Sequence, residues 1–311
     1  MAVVGGGAWG VALAAASARA GSETLLFSRR DLDGALPPGV VRSSGFEEIG
    51  RRARLVLLAV PSAILGEIAR GLGDFVDGRH FVVHGIRGLS GDPLTPLSEV
   101  IRRESPVRRI GALGGPSLAS DLREGRPSVL VSGSAFPEVT AALSLALVSP
   151  ALRVYTTPDL HGLEWASALV GCLAIGVGYA KGVGLGAGLI AAFISRGVQE
   201  AGRIAASAGG AERTLLGLAG YGDLLASTEQ QDRPEVKLGT ALAEGKSLDR
   251  ALAAATLRVE AVELIPRVVR FAESRGVRAP IFRALANDVL TGRPKETIVR
   301  DLMTGPVEDQ G

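Results

Sequence analysis

The chain has 311 residues, enough for about two domains, and its hydrophobic fraction of 47% against a charged fraction of 21% is typical of a globular protein. Its net charge is only +2, so the composition favours neither a nucleic-acid partner nor attraction to a membrane surface. The single cysteine, Cys172, excludes an intramolecular disulfide and suits a reducing compartment, from which we predict a cytoplasmic protein. We predict no metal site.

The first ten residues carry a phosphate-binding pattern. The apolar run Ala2 to Val4 predicts a buried strand, and the alanine-rich stretch Val11 to Ala20 predicts a helix. Between them, Gly5, Gly7 and Gly10 fit G-x-G-x-x-G. In this pattern the first glycine permits a tight turn, the second lets the backbone approach a pyrophosphate, and the third lets the helix pack on the sheet. We therefore predict dinucleotide binding, with a glycine-rich turn in another α/β domain as the alternative.

The tip of the second predicted strand, Thr24 to Phe27, carries the arginines Arg29 and Arg30. An acidic residue near this tip commonly binds the ribose hydroxyls of NAD, whereas arginine suits the 2′-phosphate of NADP. Because Asp31 and Asp33 follow directly, NAD stays open and NADP is only slightly favoured. A solvated turn is the alternative for both arginines.

Strands and helices alternate through the rest of the N-terminal half. A helix is predicted over Ala63 to Leu72. Leu55 to Val60 is a continuous apolar run, typical of a strand buried on both faces, and further strands are predicted at Phe81 to Val83, Arg108 to Leu113 and Ser128 to Ser132. This alternation predicts an α/β fold with a Rossmann-type doubly wound parallel sheet and a ligand at the carboxyl ends of its strands.

The pattern changes at about Asp159, after which helical segments replace strands. They are predicted at Gly162 to Ala180, Ala187 to Ala208, Glu235 to Glu244, Ser247 to Ala254, Val259 to Arg275 and Ile281 to Leu290. We therefore predict a dinucleotide-binding domain over residues 1–158 and an all-α substrate and dimerisation domain over residues 159–311. The first segment approaches the length of a membrane span, but its small residues and flanking charges favour a helix buried in a protein core, and no membrane span is predicted.

Six motifs together resemble the NAD(P)-dependent glycerol-3-phosphate dehydrogenases. They are Gly5-Gly6-Gly7-Ala8-Trp9-Gly10, Leu57-Leu58-Ala59-Val60-Pro61-Ser62, Gly115-Pro116-Ser117-Leu118-Ala119, Ile194-Ser195-Arg196-Gly197, Gly217-Leu218-Ala219-Gly220-Tyr221-Gly222-Asp223-Leu224 and Val277-Arg278-Ala279-Pro280-Ile281. The resemblance implies hydride exchange between dihydroxyacetone phosphate and sn-glycerol 3-phosphate, which serves phospholipid synthesis. It also implies a homodimer or larger assembly.

The resemblance also implies roles for individual residues. Asp223 matches the family's substrate-site aspartate. Together with the glycine pattern, the predicted cofactor-binding residues are Gly5, Gly7, Ala8, Trp9, Gly10, Arg29, Arg30, Pro61, Gly115, Ser117, Ala119 and Glu260.

The chain departs from the family where the chemistry is expected. The catalytic lysine of a Leu-Lys-Asn motif is replaced at Leu169-Val170-Gly171, and the lysine of a Lys-Gly pair is Arg87. The remaining departures are Arg233-Pro234-Glu235 for a Ser-Arg-Asn phosphate clamp, Gly188-Leu189-Ile190 for Asn-Thr-Lys, and Val259-Glu260-Ala261 for Val-Glu-Gly. Arg233, one position out of register, is the candidate ligand for a substrate phosphate.

These replacements leave two classes of function open. Ketone reduction needs a hydride and a proton, and a lysine suits both the proton and the developing negative charge. Val170 supplies neither, and Arg87 is a poor proton donor because it stays charged. The protein is therefore either an active dehydrogenase with a rebuilt site or a catalytically silent member that binds NAD(P) for sensing or assembly.

Three other side chains are candidates for the missing acid. His84 ends a predicted strand beside the cofactor loop, and His161 lies at the predicted domain boundary. Lys181 ends the helix of Val170, too far along its axis to replace it unless the glycines break the helix. The alternatives are a structural or surface role for the histidines and a solvated helix-end charge for Lys181.

Overall fold

The computed structural model describes residues 1–32, 34–255 and 259–293, and within them one eight-stranded sheet carries the N-terminal half. Its strands are β1 (Ala2–Val4), β2 (Thr24–Phe27), β3 (Val40–Arg42), β4 (Leu55–Leu58), β5 (Phe81–His84), β6 (Arg109–Gly114), β7 (Ser128–Gly133) and β8 (Leu152–Thr157). Every strand predicted from the sequence is present, and β3 and β8 are additional.

The strand order is β3-β2-β1-β4-β5-β6-β7-β8, so the sheet grows outward in both directions from β1 and β4. All neighbouring strands are parallel except β6 and β7, which pair antiparallel with Ala112 opposite Gly133. The reversal of strand order between β1 and β4 opens a crevice at the carboxyl ends of these strands, where doubly wound sheets bind their ligands. The predicted Rossmann-type fold is confirmed, and the antiparallel β6–β7 pair is the one departure from a parallel sheet.

Helices cover both faces of the sheet. They are α1 (Ala8–Arg19), α2 (Phe46–Arg52), α3 (Leu65–Gly73), α4 (Leu97–Glu104), α5 (Ala119–Glu124) and α6 (Pro137–Leu147), with a 3₁₀ turn at Ser62–Ile64. Successive strand residues point to opposite faces. Val3 therefore packs in the core under α1 and α6, whereas Val4 packs in the core under α2, α3 and α4.

The second half of the described chain is helical, as predicted. Its helices are α7 (Leu160–Val183), α8 (Ala187–Ser207), α9 (Glu212–Leu216), α10 (Asp223–Ala226), α11 (Pro234–Ala243), α12 (Leu248–Ala254), α13 (Ala261–Ser274) and α14 (Pro280–Ala284), with π-helical turns at Leu218–Gly222 and Leu285–Val289. Within residues 1–32, 34–255 and 259–293, α7 is the one helix long and apolar enough to cross a membrane, and 83% of its most apolar window is buried inside the protein.

Glycines let α7 and α11 pack closely at the centre of the helical half. A Cβ atom built on Gly178 would lie 2.2 Å from the backbone oxygen of Val236, and one built on Gly239 would lie 2.0 Å from that of Ile175. Any larger residue at either position would force the two helices apart. The glycine-rich sequence of α7 therefore serves helix packing inside the protein, and this packing brings α11 alongside the site described below.

Candidate active site

The glycine-rich loop after β1 has the geometry that its sequence predicts. Gly5 has a φ of +130°, and its Cβ would lie 2.1 Å from the backbone oxygen of Ala59. A Cβ on Gly10 would lie 1.9 Å from the backbone oxygen of Gly5, so this glycine lets α1 approach the strand. In contrast, a Cβ on Gly7 would meet no heavy atom within 4 Å. Gly7 thus borders open space at the N-terminus of α1, where backbone N–H groups favour an anion.

This open space belongs to a cavity of about 570 Å³ at the carboxyl ends of β1, β2 and β4. Half of the predicted cofactor-binding residues line it, namely Gly5, Gly7, Ala8, Arg29, Arg30 and Pro61. Apolar walls are added by Phe27, Leu32, Leu36, Ile64 and Ile68. The cavity therefore combines exposed backbone N–H groups, arginines and apolar walls in one crevice, as a dinucleotide requires.

The two arginines at the tip of β2 differ in their surroundings. The Nη1 atom of Arg29 lies 2.6 Å from Oε1 of Glu67, in an ion pair whose side chains are both substantially exposed. Arg30 forms no side-chain ion pair or hydrogen bond within the described residues. Asp31 is paired with Arg42 at 3.2 Å. Asp33, the other acidic residue predicted to keep NAD open, lies outside the described residues.

The remaining predicted cofactor-binding residues do not line this cavity. Trp9 packs against Gly85, directly after β5, where an added Cβ would lie 2.9 Å from the Nε1 atom of Trp9. The hydroxyl of Ser117 donates to the backbone oxygen of Val129 at 2.6 Å, and Ala119 begins α5. These residues thus support the loops around the crevice in the structure.

Glu260 lies at a second, smaller cavity of about 120 Å³ that Ser62 and Gly88 also line. Its Oε1 atom accepts a hydrogen bond of 2.9 Å from the backbone N–H of Ser62, which links the helical half to the turn after β4. Its Oε2 atom is buried and has no hydrogen-bond partner within the described residues. Glu260 therefore has one carboxylate oxygen available to a donor on a bound molecule.

Asp223 is the centre of a buried charge network at the carboxyl ends of β5 and β6. The residue is 0% exposed, and its Oδ2 atom accepts from Nη1 of Arg87 at 2.7 Å. Its Oδ1 atom accepts from Nη1 of Arg233 at 2.8 Å. Arg87 also donates through Nη2 to the backbone oxygen of Gly115 at 2.9 Å, and its side chain remains 29% exposed. The structure therefore brings together Asp223, Arg87, Arg233 and Gly115, which the sequence had marked separately.

Glu235 completes the network from the start of α11. Its Oε2 atom accepts from Nε of Arg233 at 3.2 Å. Burial alone would lower the pKa of Arg233, but the charges of Asp223 and Glu235 outweigh burial and raise it. Nη2 of Arg233 is buried without a partner within the described residues. Arg233 is thus held between two carboxylates, and one of its donors is left for a ligand.

Gly171, the residue after Val170, lies beside this network. Val170 is 1% exposed in α7. A Cβ atom on the neighbouring Gly171 would lie 3.7 Å from Oε1 of Glu235. The negative charge of Glu235 also reaches Cys172, where burial, followed by this charge, raises the thiol pKa. The acidic side chain of Glu235 therefore lies beside the segment Val170-Gly171 of α7.

In the described part of the chain, none of the three other acid candidates contacts the network. The Nε2 atom of His84 lies 2.9 Å from Oε1 of Glu164, and this carboxylate also accepts from the backbone N–H and the hydroxyl of Ser98, each at 2.7 Å. His161 lies partly exposed, 3.9 Å from Glu99. Lys181 donates to the backbone oxygen of Thr228.

Sequence reasoning missed two carboxylates that the structure makes important. Glu164 is the one acidic residue in the long apolar helix α7, and that isolation in an apolar run was the signal for a buried, paired charge. Glu235 follows Pro234 at the start of a helix, where an acidic residue is common, so its burial against Arg233 had no distinct signal in the sequence.

Comparisons with known proteins cover both halves of the chain. Residues 29–140 match the family described as NAD-dependent glycerol-3-phosphate dehydrogenase N-terminus, and residues 159–300 match the family described as NAD-dependent glycerol-3-phosphate dehydrogenase C-terminus. The glycerol-3-phosphate dehydrogenase (NAD(P)+) of Moorella thermoacetica is 32% identical over 98% of this chain and 96% of that protein. The protein of the same description from Gluconobacter oxydans is 33% identical over 92% of this chain and 90% of its own length.

A solved structure agrees with these sequence matches. The crystal structure of glycerol-3-phosphate dehydrogenase from Coxiella burnetii superposes with a TM-score of 0.86 at 26% identity, covering 97% of this chain and 98% of that one. Both the sheet half and the helical half are therefore shared with these relatives.

Proposed function

Because the chain belongs to the NAD-dependent glycerol-3-phosphate dehydrogenase family, we propose that it is an NAD(P)-dependent oxidoreductase acting at the junction of its two halves. The proposed reaction is hydride exchange between the nicotinamide and the carbonyl carbon of dihydroxyacetone phosphate, or in reverse from sn-glycerol 3-phosphate. The bound cofactor supplies or accepts the hydride. The residues of this chain bind the cofactor, orient the ketone and stabilise the charge that develops on its oxygen.

The cofactor assignment rests on the cavity of about 570 Å³ beside the glycine-rich loop. Gly5, Gly7 and Ala8 bring backbone groups to its wall, and Arg29 and Arg30 lie at the tip of β2. The helix N-terminus and open space at Gly7 fit a pyrophosphate. Both NAD and NADP are compatible with this wall, and the arginines favour NADP slightly.

The substrate side of the proposal rests on Arg87 and Asp223. Arg87 is the partly exposed member of the buried network, so its guanidinium is the group that can face the oxygen of a bound ketone. Asp223 holds that guanidinium in place at 2.7 Å. A positive charge aimed at a developing oxyanion lowers the barrier, but an arginine does not release a proton readily, so the proton must come from another donor such as water.

The same geometry leads us to propose slow turnover with glycerol-phosphate substrates. Loss of a positioned general acid typically costs about 10²- to 10⁴-fold in rate. Arg233 is occupied by two carboxylates, so only its Nη2 remains for a substrate phosphate. Pro234 has no backbone N–H to donate. Val170 is the residue on which the catalytically silent alternative depends, but the relatives matched over 96% and 90% of their own length support the dehydrogenase.

Two further features belong to this proposal. The sheet ends at Thr157 and α7 begins at Leu160, which supports a domain boundary near residue 158. We also propose a cytoplasmic homodimer, and sedimentation equilibrium tests it against a species of 32.0 kDa. A single species of that mass at micromolar concentration would rule out the dimer.

The deciding experiment combines a binding titration with a rate measurement. NADH and NADPH binding is followed by fluorescence, and their oxidation is followed with saturating dihydroxyacetone phosphate. We expect saturable binding and turnover well below about 10 s⁻¹, the median for enzymes. If neither nucleotide binds, the proposed function is refuted. Turnover near the median would refute the loss of rate that we assign to Val170. The double variant Val170→Lys, Gly171→Asn is the matched gain-of-function arm, in which turnover should rise.

A further inference from the structure

Arg123 lines the cofactor cavity from a helix that the sequence did not connect with it. The residue lies in the last turn of α5, and its exposed side chain shares the cavity with the β2 tip and the glycine-rich loop. Within the described residues, its guanidinium forms no ion pair or hydrogen bond. Among the residues that the structure describes, it is therefore a cation at the cavity with no acidic partner.

The backbone that carries Arg123 is firmly held. The guanidinium of Arg19 donates to the backbone oxygens of Leu122 and Arg123, which fixes the end of α5 on α1. Gly125, with a φ of +73°, then ends the helix in a left-handed turn. The backbone of Arg123 is thus already held in place. Binding of a ligand would therefore order only the side chain of Arg123.

The charged side chains around the cavity differ in whether they have an ion-pair partner. Arg29 is paired with Glu67, and the carboxylate of Asp31 is paired with Arg42. The two arginines of the cavity wall that stay unpaired among the described residues, Arg30 and Arg123, come from different elements and face the same space. Guanidinium groups are well suited to phosphate, which they bind through paired N–H donors.

We propose that Arg123 binds, together with Arg30, a phosphate group of the dinucleotide. This inference rests on the proposed function, since it takes NAD(P) as the occupant of the cavity. Two phosphate sources share this chemistry: the pyrophosphate, which NADH and NADPH both carry, and the 2′-phosphate, which only NADPH carries. Arg123 lines the cavity from α5 and Arg30 lines it from the tip of β2, so that arginines of two elements hold the nucleotide.

The test is Arg123→Gln, with Arg126→Gln as the matched control. Arg126 lies on the same segment, does not line the cavity and is paired with Asp121 at 2.8 Å. Dissociation constants for NADH and NADPH are measured for both variants and the wild type, with melting temperatures to confirm folding. We expect Arg123→Gln to weaken binding about tenfold or more, as loss of a charge-assisted hydrogen bond does, and Arg126→Gln to leave it unchanged.

The outcomes separate the possibilities. Weakening of NADPH alone supports Arg123 on the 2′-phosphate, and equal weakening of both nucleotides supports Arg123 on the pyrophosphate. Unchanged affinity for both, or an equal loss in Arg126→Gln, overturns the inference and leaves the proposed function intact. A wild-type protein that binds neither nucleotide refutes the proposed function, and with it this assignment.

Discussion

The substitution Gly7→Ala separates cofactor binding from folding. Gly7 has φ −73° and ψ 171°, extended backbone that alanine adopts without strain. Its added Cβ would meet no protein atom within 4 Å, and the residue lines the cavity. The protein should therefore fold normally, and only a ligand that approaches the backbone at this point should encounter the methyl group.

The magnitude follows from these contacts. Replacing glycine by alanine where the backbone allows it stabilises a fold by about 0.4–1 kcal/mol. Forcing a methyl group into a packed contact costs about 1–3 kcal/mol. If the pyrophosphate packs on Gly7, the dissociation constant of NADH or NADPH should rise roughly 5- to 150-fold while the melting temperature stays equal or increases.

Fluorescence titration and thermal unfolding measure the two effects on the same sample. Gly78→Ala is the matched control, since a Cβ there also meets no atom within 4 Å but lies outside the cavity. Gly10→Val is the opposite case, because its Cβ would lie 1.9 Å from the backbone oxygen of Gly5, so both stability and affinity should fall. Unchanged affinity in Gly7→Ala would show that the nucleotide does not approach this backbone and would refute the placement.

Three further predictions test the arginines, the buried network and the thiol. Replacing Arg29 and Arg30 by alanine should weaken NADPH more than NADH in titrations, and most of the loss should come from Arg30, because Arg29 is already in an ion pair; equal losses for both nucleotides would exclude a 2′-phosphate contact. Asp223→Ala should lower the free energy of unfolding in urea by about 3–5 kcal/mol, because the buried Arg233 loses its carboxylate partner; a change below about 1 kcal/mol would contradict the network. The buried Cys172, whose pKa is raised by burial, should react with a thiol reagent only after unfolding, and rapid labelling of the native protein would contradict its position in the core.

The N-terminal loop was predictable because its function depends on local geometry. Gly5 and Gly10 are required by close backbone contacts, with Ala59 and with Gly5 respectively, and Gly7 borders open space, as the spacing of the three glycines predicts. The strands β3 and β8 were missed for a physical reason. β3 has only three residues, two of them exposed, and β8 is an edge strand whose exposed Arg153 and Tyr155 break the apolar run.

The candidate site was less predictable because its partners come from distant parts of the chain. Arg87 and Asp223 were both identified as site residues, but their contact joins the end of β5 to α10. His84 had the right place at a strand end for an acid, yet Glu164, in α7, engages it. A sequence pattern gives residue types and spacing, whereas these pairings depend on how α7 packs against β6 and β7 and how α11 packs against α7.

The charged side chains around Asp223 are linked by ion pairs into one network. The buried network contains two guanidinium groups, those of Arg87 and Arg233, and two carboxylates, those of Asp223 and Glu235, so its formal charges cancel. A lysine at position 170 would bring a third cation to a buried helix beside this balanced group, at the cost of desolvating its charge. The turnover of Val170→Lys, Gly171→Asn must therefore be read beside its stability. A stable variant that gains activity means that the site accepts a third cation and uses it in catalysis, whereas an unstable one means that the balanced network does not accommodate a further buried charge.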